Sequence, residues 1–218
     1  MKALVPFVLY LPIASSLAAQ VSSRFSIGPE WGKTAEVNAN HDESTQSALG
    51  AGAANYTLFG VQRGGGKPKP AFGFFVRADA LFPGAIPEEN DLIIYDFSLQ
   101  ADVLAGLAFG AGLSGRLDFY LGAGPDAQGL FCLYQTSPPG MGTVKYERNA
   151  LRLGLGLDSG INYHLAKRFF LNAGVVLAFY FSEYETMRSR FGDYSGFAAS
   201  YFGFAAKIYL GLGLELTP

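Results

Sequence analysis

The stretch FAASYFGFAAKIYLGLGLEL, residues 197–216, alternates between two kinds of residue over most of its length. From Phe202 to Leu216 every second position is apolar, and the positions between hold glycine, alanine, lysine, tyrosine or glutamate. Successive side chains of a β-strand point to opposite faces of a sheet, so a period of two predicts a strand with one apolar face. Soluble strands are usually about 5–6 residues long, whereas a strand that crosses a membrane needs roughly 9–11. The stretch is therefore predicted to cross a membrane with its apolar face toward lipid.

The same alternation recurs in earlier segments of the chain, which predicts eight strands in total. The earlier segments are residues 24–33, 48–62, 72–82, 92–107, 116–134, 150–165 and 169–182. Segment 48–62 is the least regular, because Phe59 and Val61 fall on the wrong face, and this predicts a β-bulge. An unpaired strand edge in hydrocarbon is costly for every polar backbone group, so the strands must close on themselves. The predicted fold is all-β, an eight-stranded antiparallel up-and-down transmembrane β-barrel.

The predicted connections between the strands differ in length. Segments 34–47, 135–148 and 183–196 are long and polar, whereas 166–168 is a tight turn. Barrels of the bacterial outer membrane have short turns on the periplasmic side and longer loops outside. The asymmetry predicts that the N-terminus, segment 63–70 and turn 166–168 lie on the periplasmic side.

The first residues of the chain have the pattern of an export signal. Met1 and Lys2 give a short positive start, and an apolar run follows from residue 3 to residue 14. Small residues then offer a cleavage site, which is typical of a secretory signal peptide. We expect residues 1–19 to be a cleaved signal peptide and residues 20–218 to form the barrel. The expected location of the mature protein is the cell outer membrane.

Composition limits the classes of protein to which the chain can belong. Half of the 218 residues are hydrophobic, and the formal net charge is −2. There is no basic cluster that would indicate a nucleic-acid partner. Cys132 is the single cysteine, so an internal disulfide is impossible, and its position in the alternation predicts that it points inward.

A soluble barrel of the lipocalin type is the main alternative to a membrane barrel. Such a barrel also alternates, but it hides its apolar face inside and should carry many lysines, glutamates and threonines on its outer face. Here the face opposite the apolar one is rich in glycine, with single acids and bases. This pattern favours lipid outside the barrel and a polar interior.

The predicted interior face carries charged residues and tyrosines one at a time. The candidates for lining the lumen are Arg77, Asp79, Asp102, Arg116, Asp118, Tyr120, Arg152, Asp158, Tyr180 and Lys207. Charges in a narrow interior are tolerated only when they are paired or hydrated. Three interpretations follow: a ladder of ion pairs that fills the barrel, a wet constriction that selects solutes, or groups for acid–base catalysis. Eight strands enclose a space just wide enough for side chains or one small ligand.

Aromatic residues crowd the last two predicted strands and the loop between them. Most of them suit the aromatic girdle of an outer-membrane barrel, and Trp31 suits the same belt. Phe191 and Tyr194 lie inside predicted loop 183–196 and are candidates for contact with a partner. The two histidines lie far apart in the sequence, and no triad of serine, histidine and aspartate has a recognisable setting. We therefore expect no enzyme activity, no metal site and no cofactor.

Three motifs resemble the small outer-membrane barrel superfamily. They are YLGAG at 120–124, GLDSGINYHL at 156–165 before the tight turn, and YLGLGLEL at 209–216. The first two are most similar to the OmpW family, with OmpA-like and OmpX-like barrels next. The third resembles the C-terminal assembly signal of such barrels, but it has Leu216 where an aromatic residue is usual and is followed by Thr217 and Pro218.

The OmpW resemblance implies passive transport of small, apolar solutes through a narrow and largely hydrophobic lumen. The expected partners are then outer-membrane lipid and the small apolar solutes themselves. The alternative is a closed barrel that displays its polar loops for adhesion or for binding host or other extracellular ligands.

Overall fold

The computed structural model describes residues 21–37, 43–59, 70–83, 93–136, 142–197 and 201–216. The predicted signal peptide and nearly all of predicted segment 63–70 lie outside these residues. The described part of the chain forms β-strands, with short turns at residues 113–116, 165–168 and 190–191. The strands are β1 (Val21–Val37), β2 (Glu43–Phe59), β3 (Ala71–Pro83), β4 (Ile93–Gly112), β5 (Leu117–Thr136), β6 (Val144–His164), β7 (Phe169–Ser189), β8 (Gly192–Phe197) and β9 (Phe202–Leu216).

The strands close into a barrel. Strands β1 to β7 pair antiparallel, each with the next along the chain. Strand β9 then pairs with β7 on one side and with β1 on the other, which completes the ring. Strand β8 pairs with the far end of β7, so β8 and β9 together make the eighth position of the wall. The predicted eight-stranded antiparallel up-and-down barrel is confirmed.

The outer surface of the wall is apolar. On β9 the side chains of Ile208, Leu210 and Leu212 are more than half exposed, and β3, β6 and β7 present similar rows. A continuous apolar surface of this extent would be unstable in water, whereas it matches the hydrocarbon of a bilayer. The barrel is thus a transmembrane one, and the lipocalin-like alternative is wrong. In the described ranges no helix is both long and apolar enough to cross a membrane.

The seam between β1 and β9 has a local irregularity at Gly28 and Pro29. Their neighbours Ile27 and Glu30 pair with Leu212 and Tyr209, but the two residues between have no pairing with β9. Proline has no N–H to donate to a ladder, so it is tolerated where a ladder bond is missing. A Cβ atom on Gly28 would overlap the carbonyl group of residue 210 on β9, so glycine is required by the close approach of the two backbones.

The predicted loops 34–47, 135–148 and 183–196 are wrong in extent. Strands β1, β2, β6 and β7 all continue into them, and β8 lies almost wholly within the last. A turn of only two residues, Arg190 and Phe191, joins β7 to β8. Above the membrane a strand has no lipid-facing side, so its sequence loses the apolar alternation that marks the spanning part.

The bulge predicted in segment 48–62 is not found in the described part of that segment, residues 48–59, and Val61 lies outside the described residues. Strand β2 pairs with both neighbours without a register shift. Tyr56 and Leu58 point into the barrel, and Phe59 points away from it. The prediction failed because it assumed that large apolar residues belong on the lipid face. Register shifts occur instead at Asp96 on β4 and at Phe181 on β7.

Candidate functional site

The interior of the barrel is filled by side chains from all sides of the wall, which we describe from its centre. Lys207 of β9 reaches across the barrel, and its Nζ lies 2.6 Å from Oδ2 of Asp79 and 3.1 Å from Oδ2 of Asp102. Strands β9 and β4 stand opposite each other in the ring of eight. This one ammonium group therefore connects opposite walls.

Arg77 of β3 is the second cation of this central cluster. Its guanidinium is paired with Glu30 and lies 2.8 Å from Asp79 and 3.5 Å from Asp158. The same group lies over the ring of Tyr209, 3.9 Å from the ring centroid, which is a cation–π contact. All these residues are buried. Arg77 thus neutralises carboxylates from three strands of the wall.

A layer of tyrosines lies next to the central cluster. Tyr56 and Tyr209 each donate a hydroxyl hydrogen bond of 2.6 Å to the carboxylate of Asp158. The hydroxyl of Tyr120 is hydrogen-bonded to that of Tyr209 and accepts a 2.8 Å bond from the amide of Asn172. Tyr56 on β2 and Asp158 on β6 belong to opposite strands, so this layer also spans the barrel.

Apolar side chains pack against the tyrosines. Phe75 stacks on Tyr56 with ring centroids 5.2 Å apart. Further buried members of this cluster are Leu58, Ala71, Leu104, Ala108 and Val176. These side chains form an apolar layer beside the polar clusters. Within it, the hydroxyls of Tyr56 and Tyr209 bond to Asp158.

On the side toward β8, a chain of polar side chains joins the neighbouring strands β5, β6 and β7 inside the barrel. Arg152 donates to Glu183 from Nε at 2.6 Å and to the Gln128 side-chain oxygen from Nη1 at 2.7 Å. The amide of Gln128 donates to the hydroxyl of Tyr180 at 3.0 Å, and that hydroxyl donates to Asp126 at 3.1 Å. Arg152 and Tyr180 are among the largest fully buried side chains.

The opposite end of the interior holds a lower cluster, near the chain ends of β1 and β9. Asp118 lies 2.9 Å from Arg24 and 2.6 Å from Nε2 of His164. Ser22 donates a 2.5 Å hydrogen bond to Glu215, which also lies 3.8 Å from Arg24. The cluster links the first and last strands of the barrel at the seam where they meet.

Most of the predicted lumen residues come together in this interior. Inside the barrel lie Arg77, Asp79, Asp102, Asp118, Tyr120, Arg152, Asp158, Tyr180 and Lys207. Arg116 is not among them, because β5 begins only at Leu117 and Arg116 is exposed in the preceding turn. The alternation along β4 also predicts that Asp96 faces the interior, but the register shift at this residue leaves it exposed, with Gln135 as its hydrogen-bond partner at 2.8 Å.

Several interior residues were not among the predicted candidates. Asp126 shares the face of Tyr120 on β5, so continuing the alternation along that strand identifies it. Glu183 was placed in a loop, and nothing in the sequence signals the register shift at Phe181 that brings it inside. Tyr56 was missed because its apolar body fits either face of the wall.

The central cluster holds more acids than bases. Five buried carboxylates, those of Glu30, Asp79, Asp102, Asp126 and Asp158, surround two cations, Arg77 and Lys207. In the described part of the chain, no group of three or more histidines, cysteines, aspartates and glutamates is placed to hold a metal ion. The arrangement ties strands together across the lumen, because removing one partner leaves a buried charge uncompensated.

We call the band of exposed apolar side chains on the outer surface of the wall the apolar belt. Beyond it the wall continues as a sheet extension, which is formed by the ends of β5, β6 and β7 together with β8. We call the β7–β8 hairpin, residues 184–197, the ribbon. Five of the six residues of β8 are exposed, and among the described residues β8 pairs with β7 alone. Phe191 at the turn is 64% exposed and Tyr194 is 56% exposed. The predicted partner-contact residues thus stand on the surface.

The face of the extension that looks over the mouth of the barrel is aromatic and charged. Tyr134 and Tyr146 stack with their ring centroids 5.1 Å apart. On β8, Tyr194 lies opposite Met187, which in turn lies opposite Arg148 on β6. Met187, Arg148 and both stacked tyrosines are half-buried.

Comparison with known proteins gives distant structural similarity only. No family model matches the chain. No curated protein matches it either. The structure is similar to that of Ail, the attachment invasion locus protein of Yersinia pestis, with 12% identity over 90% of this chain and 99% of Ail, at a TM-score of 0.47.

Two other solved structures are similar at the same level. Neisserial surface protein A has 10% identity over 87% of this chain and 96% of its own, with a TM-score of 0.45. A major outer membrane protein from Thermus thermophilus has 13% identity over 89% of this chain and 99% of its own, with a TM-score of 0.44. Similarity this low transfers no activity or partner to the chain. The OmpW resemblance stays a prediction.

Proposed function

We propose that this protein is an outer-membrane barrel that is closed by its own side chains and uses its sheet extension to contact extracellular ligands. The observation that carries the proposal is the set of buried side chains that cross the lumen. Lys207 and the tyrosines around Asp158 join opposite strands of the wall, and the chain from Arg152 to Tyr180 joins the neighbouring strands β5, β6 and β7. The apolar belt, together with the predicted export signal, supports placement in the outer membrane.

The interior supports a closed state because a passing solute would have to break these layers one after another. Lys207, Arg77 and Asp158 are each almost completely buried. Separating such a pair leaves a charge without its partner in a poorly solvated space, which costs about 3–5 kcal/mol for a pair broken by mutation. Several pairs must open for one solute, so thermal opening is rare.

The extension supports a role in contact. Strands β6 and β7 are 21 residues long, whereas crossing the membrane needs roughly 9–11. The excess length places the ribbon beyond the lipid, in water. Exposed apolar surface in water often marks a site that binds a partner. Phe191 and Tyr194 are such residues, and aromatic side chains are enriched at protein contact sites.

Passive transport of small apolar solutes, as implied by the OmpW resemblance, is the second candidate. The apolar layer around Phe75 and Leu104 favours it, because it offers a hydrophobic surface inside the barrel. The charged layers on both sides of this apolar layer oppose it. We expect that even Tyr120→Ala, which removes part of the tyrosine layer, leaves the lumen closed, since Lys207 and the bond from Tyr56 to Asp158 still cross it.

Tracer flux distinguishes the two functions. The mature chain is refolded into liposomes, folding is checked by the heat-dependent shift in gel mobility, and uptake of one small polar and one small apolar tracer is measured. The proposal predicts uptake of both at the rate of empty liposomes. Barrel-dependent uptake of the apolar tracer alone would support transport instead.

Binding to cells tests the ribbon. Vesicles that carry the barrel are applied to epithelial cell monolayers, and the double variant Phe191→Ser/Tyr194→Ser is compared with Thr186→Ala/Ser195→Ala, a cross-strand pair on the same ribbon. We expect the aromatic variant to lose most of the bound vesicles and the control variant to bind like the parent. Equal binding by all three proteins would contradict a contact role for the ribbon aromatics.

A further inference from the structure

Two tight turns lie side by side at the lower rim, the end of the barrel where β9 stops. The turns are residues 113–116 and 165–168, and the N–H of His164 donates a 2.8 Å bond to the carbonyl of Arg116 between them. They carry Arg116, Lys167 and Arg168, and all three side chains are exposed. Three cations are therefore concentrated on one short arc of the rim.

The two turns themselves contain cations and no acidic residue, because their sequences are LSGR and LAKR. Asp118 follows closely in sequence, but its carboxylate is held inside the barrel by Arg24 and His164. The sheet extension at the other end is different, since its exposed charges are mixed. They include Lys145, Arg188, Arg190 and Asp193. The turns thus form a site of positive potential, whereas the extension does not.

Apolar side chains surround the basic turns on the outside of the wall. Leu113, Leu165 and Phe169 are each more than half exposed, and Tyr163 is also exposed. Tyr163 and Phe169 belong to the outward-facing rows of β6 and β7, whereas Leu113 and Leu165 lie in the turns themselves. The cations therefore lie at the edge of the outward-facing apolar surface, where headgroups meet water. Cations at this depth are attracted to anionic lipid, with a contribution of about 1 kcal/mol for each lysine or arginine.

We propose that the turns 113–116 and 165–168 bind the headgroup of an anionic phospholipid, such as phosphatidylglycerol, while Leu165 and Phe169 contact its acyl chains. A zwitterionic lipid offers the same phosphate, but it has no net charge, and its ammonium group is repelled by the three cations of the turns, whose sequences contain no acidic residue. The inference rests on the proposed membrane placement, in which this rim faces the phospholipid leaflet. Such a site gives the barrel a preference for anionic lipid on the periplasmic side.

Fluorescence quenching tests the site with a single reporter. Trp31 is the only tryptophan, and its pairing with Ile208 places it far from Phe169, which pairs with Leu214. The variant Trp31→Phe/Phe169→Trp moves the reporter to the basic turns. It is refolded into phosphatidylcholine vesicles that contain brominated phosphatidylglycerol or brominated phosphatidylcholine. We expect quenching at position 169 to report about fivefold or greater preference for the brominated phosphatidylglycerol, and native Trp31 to report almost none.

Matched variants show whether the three cations cause the preference. Arg116→Gln/Lys167→Gln/Arg168→Gln is introduced in the reporter background and should bring the preference close to onefold. The control Lys145→Gln/Arg188→Gln/Arg190→Gln removes three cations from the other end and should leave it unchanged. If the first variant does not fold, 0.5 M salt on the parent replaces it, because screening should weaken the preference at an exposed site.

The outcomes separate this inference from the proposed function. Equal quenching by both lipids at position 169, or a preference that survives loss of all three cations, overturns the lipid site and leaves the closed barrel untouched. Absence of quenching by either brominated lipid would mean that the rim does not meet the bilayer, which contradicts the membrane placement itself.

Discussion

The interior of the barrel and the ribbon use similar residue types in opposite ways. Inside, Arg152 and Tyr180 are fully buried and each has several polar partners. On the ribbon, Arg190 and Tyr194 are exposed, and the guanidinium of Arg190 lies over the ring of Phe191, 4.8 Å from its centroid. The interior residues are therefore fixed by the fold, whereas the ribbon residues present their side chains to solvent. The predictions that follow test this contrast, beginning with the largest effect.

Removing Arg77, one of the two cations of the central cluster, should have the largest effect. Arg77→Met leaves Glu30, Asp79 and Asp158 without their shared guanidinium, and we expect a loss of about 3–5 kcal/mol in the free energy of unfolding. Urea-dependent unfolding in lipid vesicles measures it. The matched change on the ribbon, Arg188→Met, should cost less than about 0.5 kcal/mol. Similar losses for both would remove the distinction between the two regions.

Two ion pairs between the same strands offer a finer comparison. The buried pair Arg152–Glu183 has an N–O distance of 2.6 Å, and the more exposed pair Arg148–Glu185 has one of 2.8 Å. Double-mutant cycles with glutamine should give a coupling energy of up to about 3 kcal/mol for the buried pair and about 0.2–1 kcal/mol for the other. Because Arg148 also lies 3.6 Å from Glu183, the second cycle is repeated in the Glu183→Gln background. Equal coupling energies would contradict the account.

The seam should be sensitive to a single methyl group. A Cβ on Gly28 overlaps the backbone of β9, whereas one on Gly115, in a lower turn, meets nothing within 4 Å. Gly28→Ala should therefore reduce the free energy of unfolding by about 1–3 kcal/mol through overpacking, and Gly115→Ala should change it by less than about 0.5 kcal/mol. The same urea titration compares them. If Gly28→Ala were as stable as the parent, the close approach at the seam would be wrong.

The smallest effect on stability is expected at the tip of the ribbon. Phe191 has 64% of its surface exposed and packs against no core, so Phe191→Ser should change the free energy of unfolding by less than about 0.5 kcal/mol. The same change should reduce vesicle binding to cells, because the contact role is assigned to this surface. A large loss of stability would show instead that Phe191 has a structural role.

The sequence predicts the membrane-spanning part of the fold well, because a strand in contact with lipid must have one apolar face. On β9 the two rows are as expected, with Ile208 facing outward and Lys207 and Tyr209 inside. A strand above the membrane does not contact lipid and needs no apolar face. For this reason the sequence predicts loops at β8 and at the ends of β6 and β7. The alternation therefore marks where the chain meets hydrocarbon and not where its strands end.

The candidate site was predicted less completely than the fold. The alternation of inward and outward positions identifies residues such as Arg77 and Asp158. It fails where a register shift changes the face of the wall to which a side chain points, as at Asp96 and Glu183. It also cannot tell that Tyr56 fills the interior, since an aromatic residue suits both lipid and a packed lumen. The partners of Lys207 follow from the closure of the ring, which brings opposite strands within reach of one side chain.

The most direct test of the closed interior is the ionic conductance of single barrels in a planar bilayer. Purified, heat-modifiable protein is inserted at 1 M potassium chloride, and the current is recorded at constant voltage. The account predicts no steps above the bare membrane, because side chains cross the lumen in successive layers. Stable conductance steps that scale with the amount of folded barrel would contradict it, since they require a continuous path for ions past Lys207 and Arg77.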